Sequence, residues 1–138
     1  MATILAHITI REGHEAAFEE MARSIYADTH EHETRVNTYQ YWRGQKPRTY
    51  YTLLAFEDHR AFITHQTSDH HEDLSANLRA AIEDMTLEWV DPIDGASPWP
   101  STDHQTALDD SSELTKKYTD VFAAAVAPWW DPLRAANG

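Results

Sequence analysis

The residues from Thr3 to Ile10 alternate in side: Ile4, Ala6, Ile8 and Ile10 fall on one face of an extended chain, and Leu5, His7 and Thr9 on the other. Neither face is plainly polar, so the strand predicted here is covered on both sides. After a turn at Arg11-Glu12-Gly13-His14 the period changes. Phe18, Met21, Ala22, Ile25 and Tyr26 form a stripe at helical spacing, with Glu19, Glu20, Arg23 and Asp28 opposite it, which predicts a helix from about His14 to His30. His30-Glu31-His32-Glu33 reads as its solvated end. Val36 to Arg43 and Thr49 to Phe56 are aromatic and β-branched runs joined by Gly44-Gln45-Lys46-Pro47-Arg48, a hairpin with a five-residue loop. Large aromatics fall on both faces of this pair, so one face packs on helices and the other needs a second cover.

The stretch Phe56-Glu57-Asp58-His59-Arg60-Ala61-Phe62-Ile63-Thr64-His65-Gln66-Thr67-Ser68-Asp69-His70 leaves the sheet. Asp58 is a suitable N-cap, and Ala61, Phe62 and His65 follow at helical spacing, predicting a short helix over about 58–66. Ser68 or Asp69 caps a second helix over about 69–84, with His71, Leu74, Leu78, Ala81, Ile82 and Met85 on its stripe. Thr86 to Val90 reads as the last strand, stopped by Asp91-Pro92. Strand, helix, strand, strand, helices, strand is the split βαβ order. The expected architecture is therefore α+β and ferredoxin-like: a four-stranded antiparallel sheet with helices on one face, complete near residue 95. Residues 96–138 form a C-terminal extension. It begins with a Pro- and Gly-containing linker, then a capping-box pattern at Asp110 and Glu113, and a helix to Ala127 bearing Leu114, Tyr118, Val121, Phe122 and Ala125. Trp129-Trp130 follows Pro128. Two tryptophans are unfavourable in water, so the tail is expected to dock on the domain or on a partner subunit.

The chain has 138 residues, 41% hydrophobic and 11% aromatic, enough for one domain with a modest core. A net charge of −12 repels nucleic acid and anionic lipid, so neither is an expected partner. There is no cysteine, which removes thiol nucleophiles, zinc–thiolate sites and disulfides. The four glycines are far apart and build no phosphate-cradling loop. No apolar run has the length of a membrane span and the N-terminus lacks a signal-peptide pattern, so a cytoplasmic location is expected.

Strand order and local residues together resemble the antibiotic biosynthesis monooxygenase family. The resemblance lies in Ile4-Leu5-Ala6-His7-Ile8, in Phe18-Glu19-Glu20-Met21, and in the 56–70 run, where an aromatic and an acidic turn precede Ala-Phe, a histidine, Ser and a further histidine. It covers roughly residues 3–93. It implies a homodimer, a dimeric α+β barrel in which two sheets face each other, with a pocket between sheet and helices in each subunit. It also implies oxygen insertion into quinols, anthrones and related polycyclic phenols without flavin or metal, so no cofactor is expected. Haem degradation, found in another branch, is discounted: its first-strand Asn, helix-2 Trp and helix-3 His align with His7, His65 and Ser75.

Cofactor-free oxygenation needs a substrate made electron-rich by losing a proton, a base near neutrality, donors for the oxyanion, and a dry pocket. Histidine is the suitable base. His65 is the first candidate and His7 the second. Tyr51 or Tyr39 is expected to hold the substrate oxygen, Asn37 or Arg43 to stabilise negative charge, and Trp42 and Phe62 to stack on a flat ring, with His70 also against the substrate. The alternative is a non-catalytic or regulatory dimer that binds a small aromatic ligand. A metal site made from His59, His65, His70 and His71 with Asp69 or Glu72 is not expected. His65 and His70 are five residues apart with a helix break between them, and the others are expected to face solvent.

Overall fold

The structure is a computed structural model and describes residues 1–137. Its elements run β1 (Ala2–Ile10), α1 (Glu15–His32), β2 (Val36–Arg43), β3 (Thr49–Phe56), α2 (His59–Thr67), α3 (Asp69–Ala81), β4 (Ile82–Trp89), α4 (Glu113–Val121), a 3-10 turn (Pro128–Trp130) and α5 (Asp131–Asn137). The four strands form one sheet in the order β2-β3-β1-β4, every neighbouring pair antiparallel. This is the ferredoxin-like arrangement. No helix among the described residues is long and apolar enough to cross a membrane.

The period-2 pattern of β1 places its two sides as read. Ile4, Ala6, Ile8 and Ile10 are buried, whereas Leu5, His7 and Thr9 are only half-buried. The buried side meets α1 through Phe18, Ala22 and Ile25 and α2 through Phe62 and Ile63, which with Phe56 and Leu54 form the core. On the other side the register aligns His7 with Tyr51 and Thr86, Trp42 with Tyr51, and Gln40 with Leu53. Trp42 is 59% exposed there. A tryptophan, a tyrosine and two leucines thus crowd a sheet face that carries none of the buried core stripe.

Element boundaries around β4 and α4 differ from the expected ones, because local and long-range hydrogen bonds override the apolar spacing. α3 stops at Ala81, and β4 begins at Ile82, four residues before the expected Thr86. Ile82 pairs with Ile10, and the Arg11 N–H donates to the Ala81 carbonyl at 2.9 Å. Sheet bonding outcompetes one more helical turn although the apolar spacing continues through Met85. α4 starts after Ser112, whose hydroxyl accepts the Thr115 N–H, rather than at Asp110. It stops at Phe122 and leaves the alanines 123–125 outside the helix. There the Phe122 carbonyl accepts from His59 Nε2 at 2.9 Å and the Ala124 N–H donates to His104 Nδ1 at 3.2 Å. Side chains of the domain have taken the backbone groups that a longer helix would use.

The segment after β4 runs back over the domain. Thr102, fully buried, donates its hydroxyl to the Val90 carbonyl at 2.6 Å and accepts the Thr3 N–H at 3.3 Å. Arg134 holds Asp91 through two bonds of 2.6 and 2.9 Å, and its guanidinium lies over the Trp130 ring. Trp129 is 69% exposed.

Candidate functional site

Between the helix-facing side of the sheet and α2, α3 and α4 lies a cavity of about 270 Å³. The sheet contributes Ala6, Ile8, Leu54 and Leu87, and the helices contribute Phe62 and Leu78. Polar groups also enter this lining: Tyr39, Tyr41, Thr52, His65, Gln66 and His71, together with Glu72, Ser75 and Arg79 of α3. An apolar hollow with a few convergent polar groups is the usual form of a small-molecule site.

His65 reaches the cavity because Asp58 caps α2. The Asp58 carboxylate accepts the Ala61 N–H at 2.8 Å, and Arg35 pairs with Asp58 and Glu57. About two turns after the cap, His65 is fully buried, with its ring against Tyr39 and Phe56. Its Nδ1 lies 2.9 Å from Glu33 Oε2, and His70 Nε2 lies 2.6 Å from the same oxygen. Burial works to raise the Glu33 carboxyl, but the bonds and charge of His65 and His70 outweigh it, so the group is held below its ordinary value of 4.5. Glu33 is therefore a carboxylate and only accepts. In the neutral form of His65 the proton sits on Nδ1, facing the carboxylate, which leaves the lone pair on Nε2.

Five buried side-chain atoms have no hydrogen-bond partner among the described residues, and three of them belong to residues lining this cavity: His65 Nε2, His71 Nδ1 and Thr52 Oγ1. Such atoms are costly unless a ligand or water completes them. Beside them, the Tyr39 and Tyr41 hydroxyls are 2.8 Å apart. Burial pushes Tyr39 well above the ordinary phenol value and Tyr41 up to about 12, so both stay protonated. One hydroxyl donates to the other, which leaves one O–H to donate elsewhere. His71 is driven down to about 4, first by burial and then by His65 and His70, and is neutral at pH 7.

The sequence pattern places Glu33 in a solvated helix end. Instead α1 closes at His32, and Glu33 turns into extended backbone with its side chain only 9% exposed. One signal was present: a carboxylate at a helix C-terminus opposes the helix dipole and so wants a cation or donor elsewhere. His59, expected to face solvent, is fully buried, its ring nitrogens bonded to Gln105 and Phe122.

Of the nine residues singled out from the sequence, the structure brings His65, Tyr39 and Phe62 to the cavity. His70 stands behind His65, linked through Glu33. His7 and Tyr51 stack edge to face at 5.6 Å on the opposite side of the sheet, with His7 bonded to Glu88 at 3.0 Å and Trp42 beside them. The two-residue alternation of β1, β2 and β3 forces this separation. His7 and Tyr51 are one residue out of phase with Ala6, Ile8 and Thr52, and Trp42 is out of phase with Tyr41. Asn37 is exposed on edge strand β2, where the register with β3 shifts. Arg43 lies in an outer groove of about 740 Å³ between β2 and α1, tied to Glu19 by bonds of 2.9 and 2.5 Å. Glu19 also accepts from Tyr50 at 2.6 Å and is lowered to about 2, chiefly by these two partners. That groove is larger, but its charged groups satisfy one another, so it is the weaker candidate.

Glu33, His65 and His70 also place one potential ligand atom each within 4.8 Å of one another. The short separations are hydrogen bonds that already occupy those three atoms, and Glu33 and His70 do not line the cavity.

No curated protein matches the sequence significantly. Solved structures do match the fold. A Caulobacter crescentus protein, itself proposed to be an antibiotic biosynthesis monooxygenase, aligns at TM-score 0.64 and 18% identity over 67% of this chain and 90% of its own. A Pseudomonas aeruginosa protein aligns at 0.60 and 22%, over 64% of this chain and 90% of its own. A Mycobacterium tuberculosis protein aligns at 0.63 and 15%, over 70% and 98%. At these identities the likeness establishes the fold alone. The sequence model of the antibiotic biosynthesis monooxygenase family carries the further step: it matches residues 1–77, more than half of the chain and every element from β1 through α2, so the chain belongs to that family.

Proposed function

We propose that the protein is a cofactor-independent monooxygenase that oxidises a phenol or quinol of a fused aromatic system with O₂. The observation that supports this most is the Glu33–His65 pair beside the cavity, with Nε2 of His65 left without a partner. In this reading His65 Nε2 takes the substrate proton while Glu33 stabilises the imidazolium that results. The free O–H of the Tyr39–Tyr41 pair donates to the phenolate oxygen, where negative charge develops. Phe62 lies along the ring. The electron-rich anion then reduces O₂ at its ring carbon. One oxygen atom stays as a carbonyl, and the other leaves as water with the two hydrogens that carbon and hydroxyl have lost. All the electrons come from the substrate. The surrounding apolar side chains keep water from the anion.

His7, Tyr51, Trp42 and Leu53 serve a different purpose in this proposal. They form the sheet face against which a second copy of the chain packs, giving a homodimer.

The test is oxygen uptake across a quinol panel, followed with purified protein and with His65→Ala. The variant is expected to lose about 10²- to 10⁴-fold in rate. Equal rates in the two proteins remove His65 as the base. A bound phenol recovered unchanged after incubation in air would favour a ligand-binding module over an oxygenase.

A further inference from the structure

Two side chains of the cavity wall come from the C-terminal extension, well beyond the residues that match the family model: Tyr118 and Phe122, both on or next to α4. They are held in place firmly. The Tyr118 hydroxyl donates to Glu72 Oε1 at 2.7 Å. His59, fully buried, sets Nε2 2.9 Å from the Phe122 carbonyl and Nδ1 against the Gln105 backbone, 3.0 Å from its carbonyl oxygen and 3.3 Å from its nitrogen. The Arg60 N–H donates to the Gln105 side chain at 3.0 Å. The Phe122 ring meets Phe62 edge to face at 6.0 Å and Tyr118 at 5.5 Å. α2 thus carries the candidate base in its last turn and the clamp on the C-terminal extension in its first. The extension is a fixed wall of the cavity, built from the same chain.

The wall limits size. The cavity, about 270 Å³, falls just below the range of about 300–1,000 Å³ typical of small-molecule sites. We propose that Tyr118 and Phe122 are specificity-determining residues: they close the cavity against large fused-ring systems and confine its ligand to a compact phenol of one or two rings. The inference rests on the proposed function for the phenolic class of ligand, but the size selection is a binding property and needs no turnover.

The experiment measures binding of 1-naphthol, with two rings, and 1-hydroxypyrene, with four, by fluorescence under nitrogen. The unaltered protein is expected to bind 1-naphthol and to bind 1-hydroxypyrene at least about tenfold more weakly. Phe122→Ala and Tyr118→Ala are each expected to shift the ratio of the two affinities at least about tenfold toward 1-hydroxypyrene. Lys117→Ala, on the exposed side of α4, is expected to leave it unchanged. Phe122→Trp should move it the other way, weakening 1-naphthol while phenol still binds. Phe122→Leu and Phe122→Trp decide the matter if the alanine variants do not fold. An unchanged ratio in folded Phe122 and Tyr118 variants, an equal shift in Lys117→Ala, or no binding of 1-naphthol to the unaltered protein would each overturn the inference. A shifted ratio with no oxygen consumed on 1-naphthol or any other phenol would leave the wall in place and remove the oxygenase reading instead.

Discussion

An ionisable side chain lining the cavity and another standing behind His65 have opposite reasons for being where they are, and pH separates them. His71 is neutral because burial opposes its charge, and its value falls from 6.5 to about 4. The unfolded chain binds that proton more readily, so this group's share of stability is complete above about pH 6.5 and is lost as the pH falls toward 4. The loss is on the order of 3 kcal/mol. Urea midpoints at pH 7.5 and 5 should therefore differ for the natural sequence and differ less for His71→Leu. Glu33 is lowered below 4.5, so its contribution is complete above that value and is lost only on further acidification. The two windows barely overlap. Glu33 also fixes the tautomer of His65. In Glu33→Gln an amide can donate as well as accept, so the lone pair of His65 can be turned from Nε2 to Nδ1. Oxygen uptake is expected to fall by about 10²-fold or more, in kcat rather than KM. A change confined to KM would assign Glu33 to binding. None of this was legible residue by residue. His65 stands out as a lone histidine on an apolar helical face, whereas Glu33 becomes its partner only when the β2–β3 hairpin brings residues 32 positions apart together.

Elements were more legible than sites, and the exceptions share a cause. β2 and β3 have the boundaries expected from their aromatic and β-branched runs, and β1 begins one residue earlier. Periodicity succeeds there because local pattern and tertiary packing agree. It fails at Ile82–Met85 and at the alanines 123–125, where helical spacing or helix propensity is overridden by strand pairing or by bonds from distant side chains. α2 is the element on which the rest of the site depends. It is nine residues long, too short to be stable alone, and it begins on the Asp58 cap. Asp58→Ala is expected to cost about 1 kcal/mol, the usual worth of such a cap. Because His59 and His65 ride on the same helix, the same variant should loosen α4 as well. Amide exchange should then rise at Ala124, whose N–H is held by His104 next to the clamp. A lower urea midpoint with unchanged exchange in the extension would show that α4 does not depend on the start of α2.

At the scale of the whole molecule the unresolved demand is the second sheet face. The strands put Leu5, Tyr51, Leu53 and Trp42 on one side with His7, Gln40 and threonines among them and the carboxylates Glu88 and Asp84 along edge strand β4, so its middle is closer to an interface centre than to a solvated surface. A monomer would leave this face wet. A two-fold dimer would bury the same patch on both copies, and the family resemblance in the sequence implied that state before any register was known. The chain's charge of −12 opposes association of like copies, so the apolar face must outweigh that repulsion. Two results are therefore expected from analytical ultracentrifugation. The natural sequence should sediment as a dimer at micromolar concentration, and added salt should tighten rather than weaken it, because screening relieves the repulsion while burial persists. Leu53→Asp, which puts a charge at the middle of the face without touching the core stripe, should sediment as a folded monomer. Its cavity lies on the far side of the sheet and should still bind 1-naphthol. If Leu53→Asp remains dimeric, the copies meet through some other surface. If it is monomeric and has lost 1-naphthol binding, the partner's support is transmitted through β3 to Thr52 and Leu54, and the dimer is part of the site rather than a cover for one face of it.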